Sequence, residues 1–156
     1  MRQNITLQVN GKSTTVSADP EEPLLYILRD DFELKGAKYG CGLQQCGACM
    51  VIADSKAELT CLRPCASFEN VKITSLEGLE QNGKLHPVQQ AFIDVQAAQC
   101  GYCVNGMIIS AVALLEDNPS PSDEEIRTAL NPVICRCGTH HRFIEAVKLA
   151  SKSSNV

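Results

Sequence analysis

With 156 residues, 44% of them hydrophobic and 21% charged, the chain is long enough for one ordinary domain or two small ones and too apolar to stay disordered. A formal charge of −4, with three Tyr, four Phe and no Trp, excludes the basic, aromatic-studded surface that nucleic-acid binding needs. The longest apolar run, Met107 to Leu115, is interrupted by Ser110 and is about half of the ~20 residues of a membrane span.

The N-terminus, MRQNITLQVN, has no apolar targeting segment, so a cytoplasmic location is expected, with any membrane association coming through a partner. Ile5, Leu7 and Val9 alternate with polar residues, Asn10-Gly11 suits a type I′ turn, and Thr14 and Val16 alternate again: a β-hairpin. Asp19-Pro20-Glu21-Glu22 predicts a helix start, with Asp19 as N-cap, Pro20 in first position and Glu22 at N3. That helix carries Leu24, Leu25, Ile27 and Leu28 on its buried side and ends near Asp31. Met50-Val51-Ile52 and Val71-Lys72-Ile73 are short strand candidates, which makes residues 1–76 a small α+β domain.

Residues 77–86 are polar, hold two glycines and lack either periodicity; they predict a linker. Strand signals stop there. Pro87 starts a helix with Val88, Ala91, Phe92 and Val95, and a second runs over about 104–116 until Asn118-Pro119-Ser120-Pro121. Ser122 and Glu125 form a capping box for a third, ended by Asn131-Pro132. A fourth, about 140–151, presents Phe143, Ile144, Val147 and Ala150, so residues 87–156 predict a four-helix bundle.

The cysteines are the outlier. There are nine, at 41, 46, 49, 61, 65, 100, 103, 135 and 137. In a reducing compartment an odd, dense set is not a disulfide framework; it points to metal ligation. Residues 40–49, GCGLQQCGAC, place Cys41, Cys46 and Cys49 with four and then two residues between them, and Cys61 follows after eleven more. This is the plant-type spacing for a 2Fe–2S cluster. One tight loop can wrap three corners of the cluster and a distant strand can bring the fourth. Gly40, Gly42 and Gly47 allow the backbone approach that an anionic cluster demands. A zinc site built on Cys46 and Cys49 is the alternative, but it explains neither the four-residue gap nor the three glycines.

A second set lies in QCGYC (99–103) and ICRCGT (134–139), giving Cys100, Cys103, Cys135 and Cys137. Cys100 and Cys103 are expected to begin the second helix of the bundle, and Cys135 and Cys137 to lie between the third and the fourth. Helix N-termini offer free N–H groups to an anionic cluster. A redox dithiol is the other reading of Cys100 and Cys103, though it expects a βαβ context and this segment is helical.

At these residues, KYGCGLQQCGAC with Cys61, QCGYCVNGMIISA and NPVICRCGTHHRFIEAV, the chain resembles the iron–sulfur subunits of the xanthine oxidase superfamily of molybdenum hydroxylases. Its CRCGT form resembles the nicotinate and isoquinoline dehydrogenase small subunits within that family. The resemblance spans about residues 5–149 and implies a ferredoxin-like β-grasp domain followed by a four-helix bundle. It assigns Cys41, Cys46, Cys49 and Cys61 to a distal 2Fe–2S cluster, and Cys100, Cys103, Cys135 and Cys137 to one proximal to molybdenum. It gives Gln99 and Cys137 hydrogen bonds to a pterin. The molybdopterin cofactor and the substrate, an N-heterocycle such as nicotinate, belong to a separate large subunit. Electrons then leave through both clusters to an external acceptor, a cytochrome rather than a flavoprotein, and the chain has no activity alone. A stand-alone ferredoxin-like carrier is the competing function, but a simple plant-type ferredoxin ends after one cluster.

Two features depart from the family pattern: Asp54-Ser55 stands where Asp-Gly is usual, and His140-His141 where Tyr is common. Cys61 is preferred to Cys65 as the fourth distal ligand, because the gap after Cys49 fits a strand, a turn over about 54–57 and a returning strand. Cys65 is then an apolar filler or a partly exposed thiol. His86, His140 and His141 are surface or cap residues, not Rieske ligands, because eight cysteines already complete two sites. Met107, Ile108, Val112 and Leu115 are bundle core, and Asp123-Glu124-Glu125 is first-turn capping charge.

Overall fold

The computed structural model describes residues 1–153, so the last three residues of the helical domain expected over 87–156 lie outside the described residues. Strands β1 (Gln3–Val9) and β2 (Lys12–Ala18) pair antiparallel, from Gln3 opposite Ala18 to Val9 opposite Lys12. Asn10 and Gly11 between them hold φ of 51° and 76°, the two left-handed positions a type I′ turn requires. Ile5, Leu7 and Val9 are buried, as are Val16 and Ala18, whereas Thr14 on the outer strand is exposed.

Helix α1 (Leu24–Asp30) begins later than its acidic leader predicts. Asp19 is not its N-cap. It closes a turn instead: its Oδ1 accepts from the Glu21 N–H (3.2 Å) and its carbonyl from the Glu22 N–H (2.9 Å). The reason is Pro23, whose ring disfavours helical backbone at Glu22. The helix therefore starts only after Pro23, which occupies the cap with φ −59° and ψ 135°.

Strands β3 (Met50–Ala53), β4 (Lys56–Leu59) and β5 (Lys72–Thr74) complete a five-stranded sheet in the order β2-β1-β5-β3-β4. β5 runs parallel to β1, and β3 is antiparallel to both β4 and β5. The turn between β3 and β4 is tighter than the one expected over 54–57: only Asp54 and Ser55 turn, at φ 46° and 66°. All four residues of β3 are buried. Val51 and Ala53 join α1, β1 and β5 in one core, while Met50 and Ile52 point into the core of the helices. A short apolar run buried on both faces is what Met-Val-Ile-Ala encodes.

A 3₁₀ turn, Glu77–Leu79, leads on from the sheet, with Leu79 buried against the helices. Helices α2 (Pro87–Asp94), α3 (Val104–Asp117), α4 (Asp123–Leu130) and α5 (His140–Ala150) follow. His86 caps α2: its Nδ1 accepts from the Val88 N–H (3.2 Å) while the Gln89 Oε1 accepts from the His86 N–H (3.0 Å). Ser122 and Glu125 form the expected capping box on α4. Met107, Val112 and Leu115 are buried in the bundle, and Phe92 stacks on Phe143 at 5.7 Å. An α+β chain, sheet first and four helices after, is thus the architecture expected. Among the described residues no helix is long and apolar enough to cross a membrane.

Candidate metal centres

The loop between α1 and β3 carries three of the first four cysteines. Gly42, Gln44 and Gly47 hold φ of 64°, 56° and 76°, and these left-handed steps turn consecutive N–H groups inward. The N–H groups of Leu43 and Gln45 both donate to the Cys41 Sγ at 3.3 Å, and that of Cys41 donates to the Cys46 Sγ at 3.3 Å. A Cβ on Gly40 would stand 2.6 Å from the Cys46 Sγ, so that residue must be glycine. The fourth cysteine arrives just after β4. The Thr60 N–H donates to the Cys49 Sγ (3.4 Å), and the Cys61 thiol meets the Cys49 sulfur and the Gln44 N–H. Cys41 and Cys61 are also near enough to feel each other's charge, so the loop and the strand end converge. The Gln45 N–H, with that of Leu43 and the neighbouring Cys46, draws the Cys41 thiol down to about 7. Burial pushes Cys61 up to about 11.

Cys65 does not join them. It is fully buried in the sheet's core, and its thiol donates to the carbonyl oxygens of Asp19 (3.3 Å) and Pro20 (3.7 Å).

The second set is assembled from two helix-end turns. Cys100 precedes α3 and Cys103 is its N-cap, so this pair sits just before the helix and not within it. Gly101 at φ 81° shapes that turn, and Gly138 at φ 76° shapes the one between α4 and α5. Cys100 meets Cys137, and Cys103 meets Cys135. The exposed Cys100 is lowered by the Tyr102 N–H. Buried Cys103 is pushed up to about 12 by its burial. Burial also acts against ionising Cys135, but the N–H and hydroxyl of Thr139 outweigh it and bring the thiol down to about 7. Gln99 is exposed beside Cys100, and Cys137 is half-buried. His86 is a helix cap, and His140 lies edge-on to Phe143 at 6.1 Å.

Both sets suit an anionic cluster, with four thiols each and backbone N–H groups already aimed at their sulfurs. Among the described residues no three His, Cys, Asp or Glu side chains are gathered tightly enough for a single metal ion. Cys41, Cys46, Cys49 and Cys61, and likewise Cys100, Cys103, Cys135 and Cys137, would each supply the four thiolates that a 2Fe–2S cluster takes.

The two centres meet along a seam that the sequence does not announce. The Ile134 N–H, next to Cys135, donates to the Cys46 carbonyl at 3.0 Å. Buried Asn105 on α3 donates to the carbonyls of Ala48 (3.1 Å) and Met50 (2.9 Å), which flank Cys49. The Tyr102 hydroxyl donates to the Tyr39 carbonyl. A Cβ on Gly106 would collide with the Gly47 carbonyl oxygen, so the cysteine loop lies directly on α3. A cleft of about 280 Å³, reached by Cys41 and Cys46 from one set and Cys100 and Cys103 from the other, opens beside this seam. Gly106 carried the one available signal, since glycine inside an apolar helix marks a close backbone approach.

Known proteins share this arrangement. A 2Fe-2S iron-sulfur cluster binding domain matches residues 7–71, and a second 2Fe-2S binding domain matches residues 75–148. The chain is 56% identical to a nicotinate dehydrogenase subunit of Pseudomonas putida over 153 residues, covering 98% of each. It superposes on a quinoline 2-oxidoreductase chain of Pseudomonas putida 86 with a TM-score of 0.92, at 32% identity, over 99% of both chains. It also superposes on the aldehyde oxidoreductase of Desulfovibrio desulfuricans with a TM-score of 0.91 at 40% identity, covering 96% of this chain and 17% of that longer one. With two 2Fe–2S binding domains in this order and full-length kinship of this degree, the chain belongs to the 2Fe–2S small subunits of the molybdenum hydroxylases, the electron-transfer subunits of multi-subunit oxidoreductases.

Proposed function

We propose that Cys100, Cys103, Cys135 and Cys137 hold the cluster nearer molybdenum, and that Cys41, Cys46, Cys49 and Cys61 hold the one nearer the external acceptor. The observation that carries the two ligand sets is the convergence of each set of four thiols, with N–H groups aimed at the sulfurs, and their order relative to molybdenum rests on the resemblance to the family. When bound, a 2Fe–2S cluster takes up and gives back one electron at a time. The protein's part is to make that exchange easy and directed. The N–H groups of Leu43, Gln45 and Thr60 oppose the negative charge that arrives with an electron. Cys49, Cys61 and Cys103 are buried, which keeps water from those sulfurs. The hydrogen bond from Ile134 to Cys46 gives a bonded route from the neighbour of Cys135 to a thiol of the other set.

Gln99, exposed beside Cys100, and the half-buried Cys137 meet the pterin of a large molybdopterin-binding partner. The aldehyde oxidoreductase that contains this module within a longer chain supports a large catalytic partner. Kinship to the nicotinate dehydrogenase protein supports an N-heterocycle such as nicotinate as the substrate of that partner, and the CRCGT form supports a cytochrome as acceptor.

The test is a pair of substitutions four residues apart, in the native complex. Cys61→Ala is expected to lose the outer cluster's electron paramagnetic resonance signal, half of the iron and onward electron transfer. Cys65→Ala keeps all three. The reverse pattern, or stoichiometric zinc in place of iron, overturns the assignment.

A further inference from the structure

The loop leading into the first centre carries more positive charge than its one nearby acid, Glu77, can balance. Lys38 is half-buried, and its Nζ donates to the Gly36 carbonyl at 2.9 Å. Arg29, also half-buried, donates to the carbonyls of Ala37 (2.7 Å) and Lys35 (3.3 Å), and the Lys35 Nζ donates to the Arg29 carbonyl. These partners are neutral. Among the described residues no carboxylate lies within 4.0 Å of any of these three cations. Glu77, the acid whose charge reaches Lys38, is committed to the Gly36 N–H (2.6 Å) and the Ser75 hydroxyl (2.8 Å). In a chain with 18 acids against 14 bases, three cations nevertheless share one pocket of about 350 Å³ with Tyr39 and Tyr102.

A cation taken half out of water without a carboxylate paired to it is a net cost to the fold. Burial does push the Lys38 ammonium below the usual lysine value; Glu77 and the Cys103 sulfur pull it back up, while Arg29 adds to the effect of burial.

The loop is tied to the helix that carries Cys103. Tyr102, a wall of this pocket, is the residue before Cys103, and its hydroxyl is bonded to the carbonyl of Tyr39, the residue after Lys38. The backbone N–H of Lys38 and the side chain of Asn105 share one acceptor, the Ala48 carbonyl, at 2.9 and 3.1 Å. Asn105 lies two residues beyond Cys103. Lys38 therefore precedes the first centre's cysteines in sequence, while its backbone and that of Tyr39 lie against the residues on either side of Cys103.

We propose that Lys38 is the counter-charge of the second centre, holding the potential of its cluster above the value four thiolates alone would set. The proposal rests on the assignment of Cys100, Cys103, Cys135 and Cys137 to a 2Fe–2S cluster. Such a cluster with four thiolates is formally a dianion when oxidised. It becomes a trianion when one iron goes from the ferric to the ferrous state. A fixed cation beside it favours the reduced form, and the more so where the surroundings exclude water.

The test is a redox titration of the native iron-loaded complex, followed by electron paramagnetic resonance, in the wild type and in K38M, K38Q and K38R. Cys103→Ser and Cys49→Ser identify which signal belongs to which centre. The neutral variants are expected to lower the midpoint potential of the second cluster and leave the first unchanged, and K38R to restore it. Loss of the second cluster in K38M and K38Q but not in K38R supports the same role, because the charge is then needed to hold the cluster at all. An unchanged second potential in K38M overturns the proposal, as does a shift confined to the first cluster or loss of the second in K38R as well. A wild type with a single cluster signal would instead sink the assignment of the thiols beneath it.

Discussion

The two cysteine centres reach similar ends by opposite means. In the first, a ten-residue loop supplies three thiols and most of the N–H donors, and three left-handed residues fix its path. In the second, 31 residues separate the two thiol pairs, which meet only because α2 to α5 pack together. The first centre is thus specified by local backbone conformation, and the second by a tertiary core. Damage to the bundle should fall on the second centre first.

Phe143→Ala is the strongest way to break that contrast. Phe143 is 1% exposed and stacks on Phe92, and removing such a ring costs about 3–5 kcal/mol. On heating, the second cluster's paramagnetic signal should disappear well below the first. Simultaneous loss in one step would show that the first centre borrows its stability from the bundle.

Gly47→Ala probes the point where the two schemes touch. The residue sits at φ 76°, and a Cβ would lie 2.8 Å from the Val133 side chain and 2.9 Å from the Pro132 carbonyl. Left-handed strain and crowding together should cost roughly 1–3 kcal/mol and perturb both signals. A change in the first signal alone would mean that the seam transmits nothing.

The smallest effect comes from His86, whose capping Nδ1 accepts a hydrogen bond only when neutral. Burial holds its pKa below the usual 6.5. The unfolded chain therefore binds this proton more readily than the folded one does. The cap's contribution, of about 1 kcal/mol, is complete above about pH 6.5 and is lost as pH falls through the lowered folded value. Between about pH 7 and about pH 5 the melting temperature of the wild type should drop further than that of His86→Asn, whose amide caps at either pH. Equal drops would remove His86 from the account.

Much of this was legible in the residues, because the signals were local. The Asn10-Gly11 turn, the Ser122–Glu125 box and the cysteine spacings each state their geometry within a few positions. The start of α1 misled because the acidic leader Asp19–Glu22 imitates a cap, while the decisive constraint was the second proline, Pro23. Apart from Gly106, the seam was invisible for a different reason. Ile134 acts through its N–H and Cys46 through its carbonyl, groups that every residue but proline supplies in full, so no side-chain type could reveal the pairing. The setting of Lys38 was hidden too, since its N–H shares the Ala48 carbonyl with Asn105, a residue 67 positions away.

Strand β3 has a bearing on how such a chain can be inherited. Its two faces serve two cores, Val51 and Ala53 on one side, Met50 and Ile52 on the other. A fragment cut after β5 would turn Met50 and Ile52 to water, and the bundle without β3 would lose the apolar wall that α3 lies on. Neither half can be traded to another gene without carrying the matching surface of its neighbour. Recombination should therefore move the two as one block, either as a separate chain or as a stretch of a longer one, and both kinds of relative are seen here.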